Sequence, residues 1–417
     1  MMKILYKISK VFLMVGLLFI YSCNEEPAPS LYELPVGGQP APVITSIDPP
    51  NAALAGVTVL TITGSNFNPS PNGTFVYFNG TKANLLSATT TQLKVVAPKV
   101  VGDSVIVKVS TYKSENFSNK FIYKLLTAQE EYFTFSPNPP AQIPYAFVFS
   151  QNGDMLVSLG STAITNPLGI KKITPDRTLL DYIPMGNAAR WDCLKFGPGN
   201  QLYGTRTVNA VWKLNEGVAP ASPWTSATGS ILKDFDFDAN QNIWAVGSAN
   251  RIYRITQTPT STPFTVTGTF RTARVFNGAL YVAGARGATE GVWKYSILPN
   301  GDLDIASEEL YFDLTAAYPG NQVFAITFAA DGDLILGTNR DPDPLIIVHP
   351  NRSSEVLYPG VIPASKVIFM YWPPNSTSLY FTRESKSVAD GTGTKLVYSQ
   401  TIIKVEMQKN GAPYYGQ

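Results

Sequence analysis

The side chains that most often perform acid–base or metal chemistry are scarce in this sequence. His349 is the only histidine among 417 residues, and it follows the apolar run LIIV, which predicts the end of a strand. A Ser-His-Asp triad would need this one residue as its base, and a zinc site with several histidines cannot be built. Cys193 begins another apolar run, which favours a buried structural thiol. The sequence therefore predicts no catalytic residue.

Carboxylates are more numerous, and one cluster has the spacing of a calcium loop. Asp234, Asp236, Asp238 and Asn240 occupy every second position, but Gln241 stands where such a loop needs glycine, and no glutamate ends the loop. In a strand, Asp234 and Asp236 would share one face. Asp238 and Asn240 would then belong to a hairpin turn. We therefore predict no metal site and no cofactor, with calcium at this cluster as the alternative.

Four arginines occupy one recurring position in the second half of the chain. Each follows an apolar run, in GTR, GAR, TNR and FTR, and they are Arg206, Arg286, Arg340 and Arg383. If the runs belong to repeats that close into a ring, equivalent positions lie at one end of that ring. Converging guanidinium groups can bind carboxylates, sulfates or phosphates through paired hydrogen bonds. We predict that these arginines bind ligand; the alternative is that they pair with loop acids or face solvent.

The six tryptophans fall into two groups by position. Three lie inside apolar runs and are predicted core residues: Trp212, Trp244 and Trp293. Trp191, Trp224 and Trp372 lie at run starts or in loops. An exposed indole can stack on the apolar face of a sugar ring while its N–H reaches a polar group. Trp191 and Trp224 in particular are therefore added to the predicted ligand-binding residues.

A repeat would position these side chains. From about residue 128, an apolar run, a turn rich in Gly, Asn, Asp or Pro, and a second apolar run recur, as in FVFSQNGDMLVSLG and FDFDANQNIWAVG. The aligned residues of the six second runs are Leu156, Leu202, Ile243, Leu280, Leu334 and Leu379. A third apolar run follows most copies. Sheets repeated every 40 to 50 residues, roughly, predict a β-propeller, because packing blades around an axis buries both faces of each sheet.

The repeat is similar to that of NHL-type propellers. This resemblance implies a six-bladed propeller over residues 128–410, followed by a tail over residues 411–417. We expect the ring to close by pairing residues 132–135 with the last blade.

Residues 42–125 have a different pattern, with six or seven short β-rich runs between turns. Val105, Val107 and Val109 alternate with other residues, which predicts a strand with one buried face. The run LTITGSNF, which ends at Phe67, resembles the hallmark of the IPT/TIG immunoglobulin-like domain, an aliphatic strand ending in G-x-N-F. The resemblance implies a β-sandwich that acts as a spacer or interaction module. Gly64 would permit a tight turn and Asn66 would hydrogen-bond across it.

The N-terminus has the features of an export signal. Three lysines precede an apolar run from Val11 to Ile20, which is too short to span a bilayer. The following IYSC resembles the lipobox of bacterial lipoproteins, although Tyr21 replaces the usual small residue. This resemblance implies a signal peptide over residues 1–22 and lipidation of Cys23. The next residues, NEE, resemble the surface-export signal of Bacteroidetes lipoproteins, and residues 23–41 would form a Pro/Gly-rich tether.

Composition restricts the fold and the partners. The formal net charge of +2 becomes −1 when the three signal-peptide lysines are removed. Near-neutral charge argues against nucleic-acid binding and against electrostatic membrane association, so the lipid anchor is the only predicted membrane contact. Charged residues make up 15% of the chain and no long stretch has a helical apolar period, which predicts an all-β protein.

The order of anchor, tether, sandwich and propeller resembles that of the surface glycan-binding lipoproteins in Bacteroidetes nutrient-uptake systems. The resemblance implies a non-catalytic protein of the outer membrane, facing the cell exterior. It would capture a glycan or similar extracellular ligand and could contact an outer-membrane transport complex. Two alternatives remain: a propeller hydrolase of the lactonase type with a channel metal, and a scaffold for protein–protein interactions. The hydrolase needs inward-pointing acidic residues from several blades, and no convincing set is found.

Overall fold

The computed structural model describes residues 38–138, 140–160, 168–186, 190–363, 365–389, 391 and 393–416. The predicted signal peptide, the predicted lipidation site Cys23 and most of the predicted tether lie outside these ranges. The described chain is almost entirely β-structure, as the composition predicts. Its helical segments are an α-helix, α1, at Leu314–Ala317, and two 3-10 turns at Pro71–Gly73 and Pro198–Asn200. None of the described helices is long and apolar enough to cross a membrane.

The chain forms two compact units, and the second contains Lys124–Gln417 together with the short segments Ala52–Thr58 and Ala97–Asp103. The strands of the N-terminal β-sandwich are β1 Val43–Asp48, β2 Ala52–Leu54, β3 Val59–Ser65, β4 Thr74–Phe78, β5 Thr81–Lys82, β6 Asn84–Ala88, β7 Gln92–Val96, β8 Gly102–Thr111 and β9 Phe121–Leu126. They form two sheets, with strand orders β1-β3-β7-β6 and β2-β9-β8-β4-β5. The predicted alternation on β8 is confirmed, because Val105, Val107 and Val109 are all 0% exposed.

Two residues of the G-x-N-F motif have structural roles. Gly64 lies against β1, where an added Cβ would be 1.9 Å from the Val43 carbonyl oxygen. Close backbone approach, rather than a left-handed conformation, therefore requires glycine here. Asn66 does adopt a left-handed conformation, with φ of 60°, and its Nδ2 donates a hydrogen bond of 3.0 Å to the Ala41 carbonyl oxygen. This bond ties the motif to the segment that precedes β1.

Six four-stranded sheets make up the second unit, and we number them as blades in chain order of their first strands. Blade 1 contains β11 Ile143–Phe149, β12 Met155–Gly160, β13 Gly169–Ile173 and β14 Leu179–Ile183. Blade 2 contains β15 Cys193–Gly197, β16 Gln201–Thr205, β17 Ala210–Leu214 and β18 Thr225–Ser226. Blade 3 contains β19 Leu232–Phe237, β20 Ile243–Gly247, β21 Arg251–Ile255 and β22 Ser261–Thr265.

The remaining blades complete the ring. Blade 4 contains β23 Thr269–Phe276, β24 Ala279–Arg286, β25 Thr289–Ile297 and β26 Leu303–Asp313. Blade 5 contains β27 Val323–Phe328, β28 Leu334–Thr338, β29 Leu345–Val348 and β30 Ser354–Val356. Blade 6 contains β31 Val367–Tyr371, β32 Ser378–Arg383, β35 Thr401–Glu406 and β10 Gln129–Glu131, and a separate hairpin is formed by β33 Lys386–Ala389 and β34 Thr394–Tyr398.

The first strands of the blades are innermost and contact one another in succession, and the last of them, β31, contacts the first, β11. The predicted six-bladed ring is thereby confirmed. Its closing strand differs from the prediction. Strand β10 pairs antiparallel with β35, whereas of residues 132–135 Tyr132 adds one backbone hydrogen bond, from its N–H to the Ile402 carbonyl oxygen at 2.8 Å. Strand β10 thus covers the edge that blade 6 would otherwise expose.

Packing between the blades buries both faces of each sheet, which explains the continuous apolar runs of the sequence. Every residue of β12, β20 and β32 is buried. The three tryptophans predicted to be core are buried, with Trp212 at 3%, Trp244 at 0% and Trp293 at 3% exposed. Cys193 is also a buried free thiol, as its position predicts.

Candidate ligand-binding site

The antiparallel pairing within each blade determines where the predicted arginines lie. The start of each first strand is paired with the end of the second strand, as in Val323 with Thr338 and Val367 with Arg383. All four arginines stand at or just after the end of a second strand, so they belong to the end of the ring where first strands begin. We call this the arginine end.

Two of these arginines are engaged by oxygen atoms of their own blade. Arg286 Nη1 pairs with the Glu308 carboxylate, which lies on the fourth strand of blade 4. Arg340 Nη1 donates to the Pro342 and Asp343 carbonyl oxygens at 2.7 and 3.1 Å. Each guanidinium therefore stabilises its local loop or strand.

Arg383 and Arg206 differ in their access to a ligand. Arg383 is 6% exposed, and its Nη2 donates to the Ser399 carbonyl oxygen at 3.3 Å. The Arg206 guanidinium lies 4.4 Å from the centre of the Trp212 ring, and within the described residues its side chain has no oxygen acceptor. Burial lowers the pKa of Arg206, as expected for a guanidinium without a carboxylate partner. No contact between described residues joins two of the four arginines.

The prediction that Trp191 and Trp372 expose their rings to a ligand is wrong. Trp191 is 0% exposed, because its ring packs edge-on against Trp212 with 5.4 Å between centroids. Trp372 is also 0% exposed, and its Nε1 donates to the Ser376 carbonyl oxygen at 2.8 Å. Neither indole can stack on a ligand in this structure. Trp224 is half-buried against Tyr203, with 5.4 Å between ring centroids.

A groove with a volume of about 460 Å³ lies at the arginine end, where blade 6 meets blade 1. Apolar and polar residues both line it, and they include Phe135, Tyr145, Leu396, Glu131, Ser399 and Gln400. Such a mixture of aromatic, amide, carboxylate and hydroxyl groups is typical of sites for polar ligands.

A strip of cationic and aromatic residues extends from this groove across blades 1 and 2. The Arg190 guanidinium lies 4.4 Å from the centre of the Tyr145 ring, and its Nε donates to Asp192 at 2.8 Å. The next residue, Trp191, lies 5.6 Å from the Arg206 guanidinium, measured to the ring centroid. Tyr145, Arg190 and Arg206 therefore follow one another along the arginine end.

The first strands of blades 2 to 6 enclose a smaller axial cavity of about 40 Å³, large enough for water or a small ion. Lys195, Lys233, Asp234, Arg271 and Thr272 are among its lining residues. The axial cavity is thus polar, although the surrounding core is not.

A buried charge cluster lies beside the axial cavity. The Asp236 carboxylate is 2.7 Å from Arg274 Nη1 and 3.2 Å from Lys195 Nζ, and it accepts the Val275 N–H at 2.9 Å. Burial favours the protonated acid, but Lys195 and Arg274 outweigh it and hold the pKa of Asp236 below its ordinary value. Lys195, Asp236 and Arg274 lie on β15, β19 and β23, so the cluster joins three successive first strands.

The C-terminal tail, which begins at residue 411, covers the centre of the ring at the end opposite the arginines. Ala412 N–H donates to the Phe328 carbonyl oxygen at 2.9 Å, at the end of β27. Tyr414 then stacks on Tyr371, with 4.8 Å between centroids and an interplanar angle of 6°. The Arg274 guanidinium lies 3.7 Å from the centre of the Tyr414 ring on the axis.

The aspartate cluster behaves as a set of structural groups. Asp238 accepts hydrogen bonds from Asn242 N–H at 2.9 Å and from Trp244 Nε1 at 2.9 Å, which is the turn role that the sequence predicts. Asp234 accepts from Thr272 Oγ1 at 2.7 Å and so joins blade 3 to blade 4. Among the described residues, no group of three or more His, Cys, Asp or Glu could hold a metal ion.

Sequence reasoning missed the Lys195–Asp236–Arg274 cluster, although a signal for it existed. Each of the three pairs with the residue that follows the aligned aliphatic residue of its blade: Lys195 with Tyr203, Asp236 with Trp244, and Arg274 with Tyr281. They therefore occupy one repeat position. Charged residues at the same position of consecutive buried strands indicate an ion cluster around the axis.

Comparison with known proteins adds a family for one part of the chain. Residues 42–123 match the IPT/TIG domain family. A search of curated proteins gave no significant match. A candidate phosphatase from Bacteroides thetaiotaomicron is similar in structure, with 9% identity, a TM-score of 0.52, and coverage of 90% of this chain and 98% of that chain.

Two auxiliary nutrient binding proteins are also similar in structure. The protein from Bacteroides thetaiotaomicron has 10% identity and a TM-score of 0.45, and that from Bacteroides ovatus has 10% identity and a TM-score of 0.44. Each alignment covers 82% of this chain and 95% of the other chain. At such identities, structural similarity concerns the fold and not the function. The chain therefore contains an IPT/TIG domain at residues 42–123, followed by a six-bladed β-propeller.

Proposed function

We propose that this protein is a surface-anchored, non-catalytic binding protein that captures a glycan or similar extracellular ligand for nutrient uptake. In this proposal Cys23 carries the lipid anchor in the outer membrane, and the IPT/TIG domain lies between the anchor and the propeller along the chain. The ligand binds at the arginine end of the propeller. An outer-membrane transport complex is the proposed receiver of the ligand.

The observation that carries the proposal is the continuity of the groove with Arg206. The groove of about 460 Å³ has a mixed lining of apolar and polar groups with two aromatic rings, and the strip from Tyr145 through Arg190 leads to Arg206. Such an arrangement suits an extended polar chain, which would stack on Tyr145 and place an acidic group at Arg206. Arg206 is the best-placed of the four arginines, because the other three are already engaged by oxygen atoms of their own blades.

Binding should be measured by affinity electrophoresis and calorimetry with neutral and acidic polysaccharides. A single charged hydrogen-bonded contact contributes about 1.5 to 3 kcal/mol, so Arg206→Ala should weaken binding of an acidic polysaccharide roughly ten- to a hundredfold. Arg286→Ala is the matched control, because that guanidinium already pairs with Glu308. Failure of every polysaccharide to bind would exclude glycan capture, and a protein partner would become the leading alternative.

Anchoring can be tested separately in the native host. Cys23→Ala should give a protein that is not acylated and either remains an uncleaved precursor or fractionates as soluble. Protease treatment of intact cells should degrade the wild-type protein if it faces the exterior. Normal acylation of the variant would contradict the proposed anchor.

A further inference from the structure

Two recesses lie between blades 1 and 2, and the first of them is at the end of the ring opposite the arginines. They have volumes of about 340 and 440 Å³, and Tyr182 and Glu216 line both of them. The first recess is bounded by the turns that follow β11 and β15. The second extends from Tyr182 along the outer strands of blade 1 toward the arginine end, since Gly169 pairs with Leu159 near the end of β12. We call the two together the Tyr182 groove.

Tyr182 occupies the junction of the two recesses. Tyr182 lies on β14. Its carbonyl oxygen accepts a hydrogen bond of 2.8 Å from the Gly217 N–H, which holds the turn of blade 2 beside blade 1. The ring is half-buried, and within the described residues its hydroxyl has no hydrogen-bond partner. Burial raises the pKa of Tyr182, and the nearby Glu216 and Asp154 carboxylates raise it further. The hydroxyl therefore remains a neutral donor flanked by two acceptors.

The first recess is lined by several polar side chains that form no hydrogen bonds with other described residues. The Asn152 and Asn200 amides and the Asp154 carboxylate line it, and none of these side chains has a hydrogen-bond partner among the described residues. Asn215 is held more firmly, because its Oδ1 accepts from Gln201 Nε2 at 3.3 Å. Amides offer a donor and an acceptor side by side, which matches two neighbouring hydroxyl groups of a sugar.

The second recess has an apolar floor. Leu168, Pro184 and Met185 line it, and an ion pair between Lys171 and Asp181 forms one wall. An aromatic ring beside an apolar floor can cover the C–H face of a sugar ring while the polar groups bind its hydroxyls.

Charge decides which class of carbohydrate the groove favours. Lys171 is paired with Asp181, and Lys172 Nζ lies 4.0 Å from the Glu216 carboxylate. These two pairs balance, which leaves Asp154 as an unpaired negative charge in the first recess. An acidic ligand would meet repulsion there, so an uncharged ligand is favoured.

We propose that the Tyr182 groove binds an uncharged oligosaccharide, with one sugar ring stacked on Tyr182 and neighbouring hydroxyl groups bound by Asn152, Asp154 and Asn200. This site rests on the proposed role in glycan capture, but it shares no lining residue with the groove beside Tyr145.

The test uses the full-length mature protein with soluble starch, xylan and galactomannan as neutral probes and polygalacturonate as the acidic probe. Tyr182→Ala removes the stacking ring. It should weaken binding of whichever neutral probe the wild-type protein binds by about tenfold or more. Asp154→Asn keeps the shape of the side chain while it removes a charged acceptor, and should weaken that binding by about tenfold. Tyr112→Ala is the control, because Tyr112 is a 65% exposed tyrosine of the N-terminal sandwich.

The outcomes separate this site from the broader proposal. Loss of neutral-probe binding in Tyr182→Ala and Asp154→Asn, with normal binding in Tyr112→Ala, would support the Tyr182 groove. Neutral binding that is unchanged in both groove variants would overturn the site while leaving glycan capture intact. Absence of all polysaccharide binding in the wild type would overturn both. Because Tyr182 is half-buried, thermal unfolding of each variant is recorded, and the milder Asp154→Asn gives the result if Tyr182→Ala is unfolded.

Discussion

Asp236 shows how a single residue can stabilise the centre of the ring. Its carboxylate faces Lys195 and Arg274, and all three side chains are less than 10% exposed. Asp236→Asn would keep the shape but remove the charged carboxylate that Lys195 and Arg274 both contact. We expect a loss of about 3 to 5 kcal/mol in the free energy of unfolding, measured by urea denaturation at neutral pH.

The control is Asp181→Asn, which also removes a carboxylate paired with lysine. Asp181 has a 90% exposed side chain, so its replacement should cost less than about 1 kcal/mol. Equal losses in the two variants would contradict a stabilising role for the buried cluster.

The lowered pKa of Asp236 also predicts a pH dependence. A carboxyl group with a lower pKa in the folded state binds fewer protons there than in the unfolded state. Its contribution to stability is complete above the unfolded pKa of about 3.9 and is lost as the pH falls through the folded value. The stability difference between wild type and Asp236→Asn should therefore be largest near neutral pH and should shrink in acid. A difference that does not vary with pH would show that Asp236 is not charged in the folded protein.

At the scale of elements, the C-terminal tail is more than an extension of the last blade. Tyr414 is 6% exposed, stacks on Tyr371 and lies over the Arg274 guanidinium. Tyr414→Ala should reduce the free energy of unfolding by about 3 to 5 kcal/mol, the usual cost of removing a large buried aromatic ring. Tyr414→Phe keeps the ring and loses the hydroxyl contact with Thr327, 3.2 Å long, so it should cost about 1 kcal/mol. Similar urea midpoints for wild type and Tyr414→Ala would mean that the tail does not stabilise the propeller.

At the scale of the molecule, closure of the ring depends on a strand from the beginning of the second unit. Strand β10 pairs with β35 and covers the edge of blade 6. A fragment that spans residues 127–417 contains β10 and should unfold in one cooperative transition. A fragment that spans residues 132–417 lacks β10, so it should melt at a lower temperature and associate through the free edge. Calorimetry and size-exclusion chromatography compare the two fragments, and identical behaviour would refute the closing role of β10.

The sequence alone determined the broad fold, because that information is local and periodic. The alternating valines of β8, the G-x-N-F motif and the recurring aliphatic residues from Leu156 to Leu379 predict the IPT/TIG domain and the six blades. Burial of the three core tryptophans and of Cys193 was also predictable from their positions in apolar runs. The lipid anchor and the ligand remain predictions.

Only the tertiary structure decided which side chains a ligand can reach. Four arginines share one repeat position, but Arg286, Arg340 and Arg383 are engaged by neighbours that lie far away along the chain or in loops of no fixed pattern. Trp191 stands at the start of a strand, where exposure was expected, yet packing against Trp212 buries it. A repeat specifies which residues are equivalent around a ring. Their exposure and their partners depend on contacts between elements, which a linear pattern does not contain.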